Sequence, residues 1–223
     1  MIRRIRKPDG TQSRRHQDLV DFIRAAEARS DGAILDVGCG SGQLAKLMRE
    51  AGFGDIHGAD WNAPASVLPE VLASYKQVDL NEEILEDRID AKFDLIVCSD
   101  TLEHLERPAR VLRSMRHLLN DSGSIYVTIP NCANVFQRIS WLLTGNSFRY
   151  RTEKPGEFGH ISLFPSQVMT TLLNRAGLEC VRKGTGFAAI AGFITNKGVK
   201  LGDFWSYVCY YELKAVHKGS GPV

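Results

Sequence analysis

Ala33-Ile-Leu-Asp-Val-Gly-Cys-Gly-Ser-Gly42 is the stretch that decides how the rest of this chain reads. The apolar run Ile34 to Val37 ends on three glycines at alternate positions, Gly38, Gly40 and Gly42. Leu44, Leu47 and Met48 then recur at helical spacing. That succession is a strand, a tight turn and a helix. Glycines at such a turn let the backbone approach a ligand, and a helix start offers N–H groups with no partner inside the helix. The stretch therefore reads as a nucleotide-type cofactor site at the first strand of an α/β sheet. A dinucleotide fingerprint, G-x-G-x-x-G, needs a third glycine where this chain has Gln43. Asp36, two residues before the first glycine, would repel a diphosphate and favour a ligand that carries an ammonium and a sulfonium.

S-adenosylmethionine (SAM) is such a ligand. D-V-G-C-G-S-G after an apolar strand resembles motif I of the class I SAM-dependent methyltransferases, and the resemblance spans about residues 30–216. It implies cofactor contacts from Asp36, Gly38, Cys39, Gly40 and Gly42. It also implies a Rossmann-like α/β fold: a seven-stranded sheet, mostly parallel, with an antiparallel last strand between the fifth and sixth. Helices cover both faces, and a helical lid follows strand five.

The bulk numbers suit that class. At 223 residues the chain accommodates one domain with a decoration, and a net charge of +2 singles out no anionic partner. Five cysteines at 39, 98, 132, 180 and 209 form no C-x-x-C pair, which fits reduced thiols in a cytoplasmic setting. No signal peptide or membrane-spanning run is apparent. We divide the chain into a basic N-terminal tail (1–16), a methyltransferase domain (17–216) with an acceptor lid at 131–164, and a C-terminal tail (217–223). Leu19, Val20, Phe22, Ile23 and Ala26 make an apolar stripe on a helix over about residues 11–29, which in the family closes one side of the cofactor pocket. Arg15 and His16 on it are expected on the surface, with the pocket wall as their alternative.

Along the chain, Asp55 to Asp60 reads as a second strand ending on an acid, where ligands of doubly wound sheets gather. Asp60 resembles the family's ribose-binding acid, and Trp61 is placed to stack on adenine; the alternative for Asp60 is the N-cap of a helix over 63–73. Tyr75 to Val78 is a third strand, followed by Asp79-Leu80, which resembles the adenine-binding pair of the family. An Asx-turn is the alternative there. Phe93 to Cys98 is a continuous apolar run, as a strand buried on both faces requires, and Ser99 at its end belongs to the cofactor set. Nucleic-acid amino-methyltransferases carry an Asx-Pro-Pro-aromatic motif at this loop. Ser99-Asp-Thr-Leu-Glu-His104 resembles small-molecule enzymes instead, so no nucleic-acid acceptor is expected. A helix from Pro108, strands at Ser124–Pro130, Glu179–Lys183 and Tyr207–Val216, and a helix from Pro165 complete the layout. The connection between strand five and the Pro165 helix is long enough to be functional, with its own helix over Ala133–Leu143.

Methyl transfer from a sulfonium needs alignment and, for a hydroxyl acceptor, a base. His104 and His160 are the candidates; tying the loop to its helix, and anchoring the lid, are their respective alternatives. Asp100, Glu103 and His104 together resemble the acid-x-x-Glu-His of ubiquinone-pathway O-methyltransferases, which holds a divalent cation, although no metal is the expectation here. Pro130-Asn131, Arg138, Leu142-Leu143, Gly145 and Gly159-His-Ile resemble the MetW-like branch of the type 11/23 group. These readings give a methyltransferase that leaves S-adenosylhomocysteine (SAH) as product. Its partner is a small-molecule, sugar or quinol-type acceptor, and it acts as a monomer or homodimer. A non-catalytic SAM-binding subunit of a biosynthetic enzyme is the alternative.

Overall fold

The computed structural model describes residues 10–63, 70–147, 159–190, 193–194 and 202–216. Both tails in large part, most of the helix read over 63–73 and the middle of the lid (148–158) lie outside the described residues. Eight strands form one sheet in the order β3-β2-β1-β4-β5-β8-β6-β7: β1 (Ile34–Val37), β2 (Ile56–Asp60), β3 (Ser74–Gln77), β4 (Phe93–Ser99), β5 (Leu119–Pro130), β6 (Leu178–Ile190), β7 (Phe193–Ile194) and β8 (Ser206–Ala215). β3, β2, β1, β4 and β5 run parallel, and β8 lies antiparallel between β5 and β6. The expected topology is therefore present. The eighth strand is a two-residue β7 that hairpins onto the end of β6.

Period-two alternation sorts the strands between two cores. On one face Leu35, Val37, Ile96, Cys98, Ile125 and Val127 pack with Leu85 of α3 (Leu85–Arg88), Val111, Leu112 and Met115 of α4 (Pro108–Leu118) and Met169 and Leu173 of α6 (Ser166–Ala176). On the other, Ile34, Leu95, Val97, Tyr126 and Tyr210 pack with Leu19, Val20 and Ile23 of α1 (Gly10–Arg24) and Leu44 and Met48 of α2 (Gln43–Glu50). Asp36 shares the α1/α2 face by the same alternation. Among the described residues the further α-helices are α5 (Val135–Thr144) and α7 (Gly202–Trp205), with a 3-10 turn at Leu102–His104.

The tail boundary set at residue 17 falls inside α1, which already starts at Gly10. The strand read at Ser124–Pro130 starts earlier, at Leu119, so residues 120–123 lie within β5. There the pairing with β4 shifts register between Phe93 and Leu95.

Helix α1 is pinned by Arg182 of β6. Its guanidinium lies 3.8 Å from the centroid of the Phe22 ring, donates to the Phe22 carbonyl at 2.6 Å and pairs with Glu212 at 2.7 Å. Phe22 in turn packs against Tyr126 and Tyr210. Arg182→Met keeps the stem and loses all three interactions, so it should lower unfolding free energy by about 1–3 kcal/mol. Paired with Glu212→Gln it should lose less than the two singles added, because both break the same ion pair. Denaturant titration of the four proteins measures this; strict additivity would refute the shared anchor.

Candidate active site

The carboxyl end of β1 has β2 on one side and β4 on the other, so the chain crosses over in opposite directions there and a crevice opens. The glycine turn forms its waist. Gly38 has φ 77°, and a Cβ added there would lie 2.2 Å from Thr101 Oγ1. Gly40, with φ 55°, faces open space, and its N–H donates to Asp60 Oδ2 at 2.8 Å.

Two cavities meet at this waist, with Gly38, Gly40 and Asp100 in the walls of both. The larger, about 360 Å³, is walled by Asp60-Trp61-Asn62 after β2, Val78 to Asn81 after β3, and Asp100, Thr101, His104 and Leu105 after β4. The smaller, about 200 Å³, is walled by His16 of α1, by Asp36, Cys39 and Ser41 of the turn, by Gln43 and Leu44 of α2, and by Ser99.

Asp60 is buried. Its Oδ1 accepts from the Asn62 backbone N–H at 3.0 Å and from the Asn62 side chain, and Oδ2 accepts from Gly40. The carboxylate is thereby fixed at the cavity wall. Trp61 is 45% exposed at the rim. Asp79 makes the Asx-turn of its alternative reading, accepting from the Asn81 N–H at 2.9 Å, and lines the larger cavity as well. Leu80 beside it is buried, and its carbonyl accepts from Arg110 at 2.9 Å. Cys39 contributes backbone, since its thiol turns inward: a Cβ built on Gly58 would meet the sulfur at 2.8 Å. Ser99 shares a 3.0 Å hydrogen bond with Thr128 at the floor of the smaller cavity.

Asp36 is fully buried, and its Oδ2 has no hydrogen-bond partner. Burial, with the Asp60 charge as a second cause, pushes its carboxyl up to about 7. An unpartnered buried carboxyl on a cavity wall is suited to a cationic ligand group, as SAM's ammonium is. His16 was expected on the surface and is instead buried in the same wall, with Nδ1 unpartnered. Desolvation lowers its pKa against the opposing pull of Asp100. Arg15 bridges to Asp100 at 2.8 Å and so ties α1 across the turn. The helical period sets His16 on the buried stripe of α1, three, four and seven residues before Leu19, Val20 and Ile23, and Arg15 beside it is half-buried.

On the lid side, the N–H groups of Ile161 and Ser162 donate to the Glu103 carbonyl at 2.9 and 3.1 Å. His104 Nδ1 meets the Gly159 carbonyl at 3.2 Å. The His104 and His160 rings lie edge to face with centroids 4.9 Å apart, and Glu103, buried, reaches His160 Nε2 at 3.9 Å. Ligand atoms of Glu103, His104 and His160 lie within 4.8 Å of one another. This corrects the grouping read from sequence. Asp100 is drawn away to Arg15 and Thr128, and His160 stands with the other two in its place.

A family model described as a methyltransferase domain matches residues 10–183. Among curated proteins, the ubiquinone biosynthesis O-methyltransferase of Pseudomonas paraeruginosa is 29% identical over 119 residues, 50% of each chain. That of Serratia proteamaculans is 34% identical over 115 residues, 49% of this chain and 47% of its own. The chain thus spans about half the length of the curated relatives it matches. Among solved structures, the CcbJ methyltransferase of Streptomyces caelestis superposes with TM-score 0.66 at 16% identity, covering 95% of this chain and 94% of its own. Magnesium protoporphyrin IX methyltransferase of Synechocystis with bound SAH superposes with TM-score 0.57 at 17% identity, covering 94% and 89%.

Asp36 sets a pH dependence. An unfolded aspartate titrates near 3.9 on average, below its folded value of about 7, so the fold holds this proton more tightly. Its contribution to stability is then full below the unfolded value and is lost as pH rises to about 7. Asp36→Asn should be more stable than wild type at pH 8, by up to a few kcal/mol, with the gap closing towards pH 4. The same variant should bind SAM more weakly. A stability difference that stays flat across this range would exclude the buried neutral carboxyl. For Asp60→Ala, the loss of one charge-assisted hydrogen bond to ribose, on the order of 1.5–3 kcal/mol, should weaken SAM binding roughly ten- to 150-fold by calorimetry. Unchanged affinity would show that Asp60 does not hold the ribose.

Proposed function

Because the chain belongs to the methyltransferase-domain family and is a SAM-dependent methyltransferase, we infer that it moves the methyl group to oxygen on a small-molecule or glycan-type acceptor. The observation that carries this reading is the pairing of His104 and His160 at the lid side of the crevice, with buried Glu103 beside them. That the curated relatives are O-methyltransferases supports transfer to oxygen.

In this reading adenosine occupies the larger cavity, with its ribose on Asp60 and its adenine between Trp61 and the Asp79-Leu80 turn. The methionine end lies in the smaller cavity, where Asp36 takes the ammonium and Gly38, Cys39, Gly40, Gly42 and Ser99 shape the passage. The bound cofactor supplies a methyl group on a sulfonium, already activated for in-line displacement. The protein therefore has to align the acceptor and remove its proton. Alignment alone supplies roughly 7–11 kcal/mol in favourable cases. An imidazole suits the proton, and the Glu103 carboxylate stabilises the imidazolium that forms on His160. His104, held by the Gly159 carbonyl, keeps the lid limb against the acceptor.

A second reading has a divalent cation on Glu103, His104 and His160, favoured by the clustering of their ligand atoms within 4.8 Å. Activity that survives exhaustive EDTA treatment would eliminate it.

A labelled-methyl transfer screen with quinols, phenols, sugars and nucleotide-sugars tests the main reading. With an acceptor found, replacing the base by alanine (His160→Ala) should lower kcat by about 10²–10⁴ while SAM affinity is kept. No transfer to any acceptor despite intact SAM binding would favour the non-catalytic subunit.

A further inference from the structure

Strand β3 closes one edge of the sheet, and none of its four residues, Ser74 to Gln77, is buried. Two of its side chains serve the turn after β2 instead of the core. Parallel register sets Gly58 beside Tyr75 and Asp60 beside Gln77, and period two turns Tyr75 and Gln77 to one face. The Tyr75 hydroxyl lies 2.6 Å from the Asn62 carbonyl and 3.0 Å from the Asp60 carbonyl. Gln77 Nε2 donates to the Trp61 carbonyl at 3.1 Å. The carbonyls of Asp60, Trp61 and Asn62, consecutive residues of the larger cavity's wall, are thus all met by side chains of β3.

A phenol has one proton to donate. The Asp60 carbonyl already accepts from the Val78 N–H at 2.8 Å, so the shorter contact, to the Asn62 carbonyl, is the one the hydroxyl serves. Burial and, after it, the Asp60 charge raise the phenol's pKa, which keeps it a donor. Asn62 in turn gives its backbone N–H and its side-chain amide to Asp60 Oδ1. Tyr75 therefore stands one residue removed from the carboxylate, and it walls neither cavity itself. Its hydroxyl is not what keeps β3 in place, because the ladder with β2 already does that.

We propose that Tyr75 is a positioning residue for the cofactor: its hydroxyl holds Asn62, and Asn62 sets the Asp60 carboxylate at the angle that receives the ribose hydroxyls. The inference rests on Asp60 as the ribose acid and adds the group outside the cavity that aims it. A carboxylate aimed in advance does not have to be ordered by the ligand. Oδ2 keeps its bond from Gly40 whatever stands at residue 75, so losing the hydroxyl loosens one side of the carboxylate and not both. The effect is accordingly modest, and it falls on ligands that present ribose hydroxyls.

The test is calorimetry of the full chain with SAH and with the SAH analogue that lacks both ribose hydroxyls. Tyr75→Phe keeps the ring and deletes the hydroxyl. It should weaken SAH about three- to tenfold, the worth of one net hydrogen bond, and leave the analogue within about twofold of its wild-type affinity. In an Asp60→Ala background the same change should cost SAH little, because the group it aims is gone. Equal losses for the two ligands would make Tyr75 a support of the fold as a whole and overturn the proposal. So would a loss on Tyr75→Phe that is undiminished in the Asp60→Ala background. If Asp60→Ala alone leaves SAH affinity unchanged, the ribose reading falls and takes this inference with it. If Asp60→Ala weakens SAH and Tyr75→Phe does not, the inference alone falls.

Discussion

One hydrogen bond, from the Gly40 N–H to Asp60 Oδ2, governs the geometry of this site. It joins the end of β1 to the end of β2 across the bottom of the crevice. The left-handed backbone at Gly38 and Gly40 is needed to aim that N–H sideways, and Thr101 fills the space a side chain at Gly38 would take. The same carboxylate is locked by Asn62 from its other oxygen. A group held this tightly is organised before any ligand arrives, so binding does not have to order it.

The methionine end follows the opposite rule. Asp36 and His16 are buried with unpartnered atoms facing a small cavity, an arrangement that costs the empty fold stability. Such costs are tolerated where a ligand completes the hydrogen bonding. The protein thus keeps one end of the crevice satisfied and leaves the other unsatisfied, with the glycine waist between them.

The sheet was legible because each strand had its own local signal. Ile34–Val37 stands as read, and Phe93–Cys98 grows by one residue, since continuous apolar runs between turn residues admit no other period. The acids at strand ends were legible for a similar reason: position along a parallel strand fixes where its last side chain stands. What sequence concealed is whatever arises between distant segments. Asp100 pairs with Arg15 of α1 and stands apart from the Glu103–His104 pair, a contact that no local signal announces. His160 joins that pair through backbone hydrogen bonds from Ile161 and Ser162 to Glu103. Helix α5 was legible as a helix over 133–143 and is present over Val135–Thr144, but its periodicity does not say which side faces the protein.

The antiparallel strand between β5 and β6 has a consequence for how the chain comes together. β1 to β5 find their neighbours among themselves, with short crossovers between them. The second edge of β5, over Ile125–Pro130, has no partner until residues 206–215 are in place, and among the described residues β6 pairs only with β8 and the two-residue β7. Until then β5 presents an open edge that the finished sheet covers, the kind of surface on which chains aggregate or recruit chaperones. A polypeptide halted shortly before residue 206 would hold every residue assigned here to the cofactor and still lack the strand that makes it one sheet.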